Sequence, residues 1–177
     1  MSNKRYAVWY EPVGDVYTEL KNIIIDLSKK YNSPVFEPHI TLLPGGSSLN
    51  KEIVVEKLTK VVNEVKPFVT TFRQLNHSDE FFKSVHIELE ENDALMEFAG
   101  NIQHEINGEI AKNFVPHLSI LYGKFLKEER EKIIKLIGEN YNKSFILNKV
   151  DVIEYEFNQP PETWKKVSSI EVKKVLN

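Results

Sequence analysis

FEPHITLLPGG occupies residues 36–46 and FVPHLSILYGK residues 114–124. Both follow the pattern F-x-P-H-[IL]-[TS]-[LI]-L-x-G, with a histidine at the same place each time. In a strand, side chains alternate between two faces with a period of two. His39 and Thr41 therefore point one way, as do His117 and Ser119, while Ile40, Leu42, Leu118 and Ile120 point into a core. Pro38 and Pro116 suit the start of a strand, where no ladder donor is lost.

The surroundings of the two stretches match as well. Arg5 to Tyr10 is aromatic and β-branched, a strand signal. Pro12 and Gly14 break it, and Asp15 is placed to cap a helix with Val16, Leu20, Ile23, Ile24, Leu27 and Tyr31 at helical spacing. Phe36–Leu43 reads as a strand, Asn50 as the cap of a second helix that Pro67 stops, and Val69–Leu75 as extended. Phe82–Leu89 is a strand, and Asn92 caps a third helix with Leu95, Phe98, Ala99, Ile102 and Ile106 inward. Phe114–Tyr122 carries the second motif. A fourth helix spans about Lys127–Ile137, with Gly138 as its C-cap. Ser144–Phe157 and Trp164–Val175 supply the last strands.

This order predicts an α+β or α/β protein. Val8 and His39 are 31 residues apart, and so are His86 and His117. The match predicts a duplicated β-α-β unit, two pseudo-equivalent lobes, and histidines facing one another across a cleft. No linker divides the chain, so residues 1–177 are expected to form one domain.

The net charge of −3 does not suit a grip on long nucleic acid through its phosphates, so no extended nucleic-acid binding is expected. The chain has no cysteine, which excludes disulfides, thiol nucleophiles and Cys-ligated zinc. No apolar run approaches the ~20 residues of a membrane helix, and MSNKRYAVWYEP has no signal-peptide core. A monomer in the cytoplasm, or also the nucleus, is expected.

Two imidazoles and two hydroxyls on one cleft suit a phosphoester. Imidazole titrates near neutrality. One ring takes a proton from the attacking group while the other, protonated, gives one to the leaving oxygen. The hydroxyls donate to non-bridging phosphate oxygens. This chemistry requires no metal and no cofactor, and two histidines without carboxylates at ligand spacing make a poor metal site. One H-x-[ST] on an apolar strand is more often a hydrogen-bonded core histidine; two copies in matching context favour catalysis.

PHIT at 38–41 and PHLS at 116–119 resemble the paired motifs of the two-histidine (2H) phosphoesterase superfamily. AVWYEP at 7–12, FEPHIT at 36–41, FFKSV at 81–85, PHLSILYG at 116–123 and TWKKV at 163–167 resemble its plant and yeast cyclic phosphodiesterases. The resemblance implies a bilobal α+β fold with two antiparallel sheets around a cleft. It implies hydrolysis of ADP-ribose 1″,2″-cyclic phosphate, a by-product of tRNA splicing, and opening of nucleoside 2′,3′-cyclic phosphates to 2′-phosphates. It makes His39 and His117 the catalytic pair, Thr41 and Ser119 the phosphate-binding hydroxyls, and Tyr122 an aromatic beside the substrate. FFKS at 81–84 and His86 depart from it, since a plant-type relative is more apolar there.

Other residues have plainer readings. Trp9 and Trp164 read first as core packing, with base stacking as the alternative. Strand parity lets Phe81 or Phe82 line the cleft, not both. Tyr122 has the wrong parity for the cleft unless the strand ends near Leu121. His86 is a cleft candidate through its shared register with Val8, and His77 reads as a loop residue. Two other functions fit the motifs: an RNA-end phosphodiesterase or 2′,5′ RNA ligase-like enzyme, and a nucleotide-binding module without catalysis.

Overall fold

The first strand, β1 (Lys4–Tyr10), sorts its side chains as period-two alternation requires. Tyr6, Val8 and Tyr10 enter the main core, while Ala7 and Trp9 form a small cluster with Ile153 on the opposite face. The computed structural model describes residues 3–173. After β1 come α1 (Gly14–Tyr31), β2 (Ile40–Thr41), α2 (Lys51–Glu64) and β3 (Val69–His77). A 3₁₀ turn at Phe81–Lys83 leads to β4 (Val85–Leu89), α3 (Asp93–Asn107), β5 (His117–Leu121) and α4 (Lys127–Ile137). The chain closes with β6 (Ser144–Ile146), β7 (Lys149–Glu156) and β8 (Lys165–Glu171).

Side-chain caps start two of the helices. Asn50 accepts from the Ile53 N–H at 2.9 Å, and Asn92 from the Leu95 N–H at 3.2 Å. Asp15 does not cap α1. Val13 stands at the cap without a side-chain bond, and Asp15 lies in the first turn, where its charge suits the positive end of the helix dipole.

The strands differ more from expectation. Of the stretch 36–43, only Ile40 and Thr41 join a ladder, because the Leu42 and Leu43 N–H groups both turn onto the Val8 carbonyl. Phe82 sits in the 3₁₀ turn, so that strand begins at Val85. His77 closes β3 beside Glu131 of α4 rather than lying in a loop. The stretch 144–157 forms two strands, since β6 pairs with β3 and β7 with β1 on opposite sides of the sheet. The last strand ends at Glu171, and Val175 lies outside the described residues.

The strands form one antiparallel sheet of eight in the order β6-β3-β4-β5-β2-β1-β7-β8. Each half has four strands with a motif strand at its inner edge, and the halves meet where Ile40 pairs with Leu118. Leu20 and Ile24 of α1, Leu58 of α2, Phe98 and Ile102 of α3 and Ile133 of α4 are buried against one face of the sheet. The two-lobed antiparallel arrangement is thus present, as a continuous sheet.

The duplication has a different register from the one that counting predicts. Trp9 pairs with Thr41 and His86 with Ser119. The position equivalent to His86 is therefore Trp9, not Val8. An irregularity between Val85 and His86 shifts the frame by one residue and puts His86 on the His117 face, whereas Val8 is fully buried in the main core.

Candidate active site

His39, Thr41, His117 and Ser119 line one cavity of about 620 Å³, within the usual range for a small-molecule site of roughly 300–1,000 Å³. Trp9, Phe82 and Tyr122 line it too, whereas Phe81 and His86 do not. β5 ends at Leu121, which lets the Tyr122 ring reach the cavity wall against its strand parity. Gly123 then has φ +142°, and a Cβ there would meet the Phe125 ring at 2.5 Å.

The two imidazoles are held in the same way. His39 Nδ1 lies 2.6 Å from the Glu37 carbonyl, and His117 Nδ1 lies 2.9 Å from the Val115 carbonyl. A carbonyl only accepts, so Nδ1 carries the proton in both rings. Each Nε2 is then a lone pair when its ring is neutral and a donor when it is protonated. Both rings follow the same F-x-P-H sequence, in which the residue before the proline, whose carbonyl holds the ring, is biased to an extended backbone.

The environments of the two rings differ. His39 is 6% exposed and stacks face to face on Trp9, with ring centroids 3.6 Å apart and planes 10° from parallel. Burial pushes its pKa down to about 4, and the charge of His117 adds to that against the Glu37 carbonyl. His117 meets the edge of the His86 ring at 5.4 Å. Burial and the Lys83 charge lower the His117 pKa, while the Val115 carbonyl and Glu80 oppose them. His86 is likewise pushed down to about 4, first by burial and then by His117 and Lys83.

The two hydroxyls are not equivalent. Ser119 donates to the Phe82 carbonyl at 2.8 Å, tying the motif strand to the 3₁₀ turn. The Thr41 hydroxyl makes no hydrogen bond among the described residues and faces the cavity with its proton free.

Aromatic rings wall the cavity. Trp164 meets Trp9 edge-on at 5.5 Å and lies 5.9 Å from Phe82, 6.2 Å from Tyr155 and 6.3 Å from Tyr122. Its Nε1–H is buried without a partner. Tyr122 stacks on Phe36 at 3.6 Å, and burial raises its phenol pKa. Sequence reasoning missed Tyr155, Glu80, Lys83, Gly45, Gly46 and the segment 111–115 as cavity residues. For Tyr155 the period-two pattern of Asp151, Ile153 and Tyr155 was a usable signal. For Lys83 the departure of FFKS from the family pattern was a signal, and for the others, which lie in turns and loops, there was none. Among the described residues no group of three or more His, Asp or Glu side chains is arranged to hold a metal ion.

A two-lobed antiparallel sheet with an H-x-[ST] motif from each half on one cavity defines a 2H phosphoesterase. Within that class, the chain belongs to the cyclic phosphodiesterase-like protein family, whose family model matches residues 5–175. It is accordingly a phosphodiesterase-type hydrolase. It is 24% identical over 168 residues to the cyclic phosphodiesterase of Arabidopsis thaliana, covering 92% of each chain. It is 28% identical over 171 residues to the 2′,3′-cyclic-nucleotide 3′-phosphodiesterase of Kluyveromyces lactis, covering 86% of this chain and 80% of that protein. Among solved structures, Escherichia coli LigT complexed with 3′-AMP shares the fold, with a TM-score of 0.63 and 13% identity over 98% of this chain and 100% of LigT. LigT has also been solved with ATP, with a TM-score of 0.62, 14% identity and coverage of 97% and 98%. No helix among the described residues is long and apolar enough to cross a membrane.

Proposed function

We propose that the chain hydrolyses a small cyclic phosphodiester to a phosphomonoester, with His39 and His117 as the acid–base pair and no metal. The substrate class is a nucleoside 2′,3′-cyclic phosphate or the 1″,2″-cyclic phosphate of ADP-ribose. The observation that carries this reading is the identical anchoring of both imidazoles, each by Nδ1 on the carbonyl two residues back, on one cavity. The names of the Arabidopsis and Kluyveromyces relatives support the choice of substrate class.

The reaction follows from that geometry. The water oxygen bonds to phosphorus while one ribose–oxygen bond to phosphorus breaks. Nε2 of the neutral imidazole takes the water proton, and Nε2 of the protonated imidazole gives its proton to the departing ribose oxygen. Thr41 donates to a non-bridging oxygen; Ser119 does so once it turns from the Phe82 carbonyl. Trp9, stacked on His39, fixes the plane of the imidazole.

Turnover of 2′,3′-cyclic AMP with and without EDTA is the test. Wild-type activity should survive EDTA. His39→Ala and His117→Ala should each nearly abolish it, and the double variant should be little worse, because acid and base act as a unit. Full activity in either single variant, or loss with EDTA that a divalent ion restores, overturns the mechanism.

A further inference from the structure

Lys83 is a cation on the cavity wall that the paired-histidine chemistry does not use. Its backbone is held from several sides. The Lys83 carbonyl accepts from the Ser78 hydroxyl at 2.9 Å and from His86 Nδ1 at 3.2 Å. The residues before it are fixed as well, Phe81 by the Gly123 N–H at 2.8 Å and Phe82 by the Ser119 hydroxyl. Arg130, 4% exposed, reaches from α4 to the Ser78 carbonyl and to the Asp79 carboxylate. A turn pinned in this way presents a lysine at a fixed point.

The ammonium itself has no partner: among the described residues it makes no hydrogen bond and no ion pair, not even with Glu80 on the same wall. Lys21, Lys57, Lys143 and Lys166, by contrast, are each within ion-pair distance of a carboxylate. Lys83 also stands to one side. Its turn is tied to the second half of the sheet through His86 and Ser119, and its charge lowers the pKa of His117 and of His86. The reacting phosphate must lie between the two motif histidines. A cation on the His117 flank alone is placed for a different part of the substrate.

We propose that Lys83 is a specificity residue whose ammonium takes a second phosphate of the substrate, one outside the cyclic diester. This rests on the nucleotide reading of the cavity given above. A free lysine beside an imidazole that must at times be protonated opposes that protonation, whereas a phosphate bound to it removes the conflict. A flexible ammonium is a point-charge ligand that accommodates a phosphate at more than one angle. The preferred ligands are nucleotides with a terminal phosphate besides the cyclic one.

Calorimetric binding of adenosine 2′-phosphate and adenosine 2′,5′-bisphosphate to the full chain tests the assignment without turnover. The wild type should bind the bisphosphate about ten-fold more tightly, as a hydrogen bond to a charged group allows. In Lys83→Gln that ratio should fall to near one. Lys83→Arg should keep most of it, and so should Lys124→Gln, which removes the same charge from an exposed site outside the cavity. No wild-type preference, an unchanged ratio in Lys83→Gln, or equal weakening of both ligands overturns the proposal; the last would put Lys83 on the reacting phosphate. Turnover of 2′,3′-cyclic AMP by the same wild-type sample separates the two readings. If the ratio behaves as expected but nothing is hydrolysed, the reaction assignment fails and the Lys83 site stands.

Discussion

Thr41 and Ser119 occupy matching places, yet only Thr41 has its hydroxyl proton free for a ligand. A donor aimed at a phosphate oxygen matters more as charge redistributes in the transition state than in the bound substrate, so its loss lowers kcat more than it raises KM. By analogy with a single oxyanion donor, Thr41→Val should cost on the order of 10²-fold in kcat. Thr41→Ser should be mild, since it keeps the hydroxyl and serine already stands at the matching position 119. Equal activity in the two variants, both folded by circular dichroism, would reduce Thr41 to a β-branched strand residue. The histidines predict a pH profile with a definite sign. Both pKa values are depressed in the free protein, His39 to about 4. In the proposed mechanism the productive state has one ring protonated and one neutral. Its population rises as pH climbs through the lower apparent pKa and falls again above the upper one, below about 6.5. The profile of kcat/KM should therefore be a bell on the acid side of neutrality, with both limbs belonging to the coupled pair. A rate that rises steadily with pH would point to hydroxide attack without a general acid.

The elements behind the motifs hold the cavity in shape, and one buried side chain of α3 does much of this. Gln103, 2% exposed, donates to the Leu42 carbonyl at 2.9 Å and accepts from the Ala111 N–H at 2.8 Å. It thereby ties the exit of the first motif to the segment 111–115 of the cavity wall. Gln103→Leu fills similar space but strands the buried Leu42 carbonyl, at about 1–3 kcal/mol, and the half-buried Ala111 N–H, at less. Its thermal midpoint should fall by several degrees. A midpoint equal to wild type in the leucine variant would mean that both backbone groups find other partners. Gln103 falls among the inward positions of the Ala99–Ile102–Ile106 stripe, so a polar residue in an apolar stripe was a readable signal. The four helices, the Asn50 and Asn92 caps and the facing of the motif residues were also readable, because each rests on local periodicity or capping chemistry. The register was not, since counting residues passes over the irregularity at Val85–His86. Nor was the shortening of the first motif strand, because an extended segment has the same pattern whether its N–H groups join a ladder or turn onto Val8. Lys83 and the 111–115 wall come from turns, where no periodicity tells which way a side chain faces.

At the scale of the whole molecule, the buried imidazoles tie the stability of the fold to pH. His39 and His86 are 6% and 4% exposed, and burial holds both near a pKa of about 4. In the unfolded chain each titrates near 6.5. Between those values the unfolded state binds protons that the folded state refuses. Stability is therefore fully present above about pH 6.5 and is lost as pH falls towards about 4. Each ring can account for about 3 kcal/mol across that window. The surroundings of His86 decide how much of this it contributes: His117 and Lys83 oppose its charge, while the Lys83 carbonyl and Glu88 favour it. Glu37 and Glu88 act in the same direction at lower pH. Burial works to raise both, but Lys21 and Tyr17 outweigh it at Glu37, and Asn76 and Gln74 at Glu88, so both are held below the usual carboxylate range. His86→Phe isolates one ring. Phenylalanine fills the place beside His117 and cannot titrate, though it gives up the 3.2 Å bond to the Lys83 carbonyl. Its stability at pH 7.5 should therefore be lower than wild type, and the slope is the quantity to read. Unfolding free energies from urea titrations at pH 7.5, 6.5, 5.5 and 4.5 should fall less steeply in His86→Phe, with the two curves converging towards pH 4.5. The difference in slope should approach about 1.4 kcal/mol per pH unit, one proton's worth. Parallel curves would mean that His86 takes up its proton equally in both states, and that burial beside His117 does not hold it neutral.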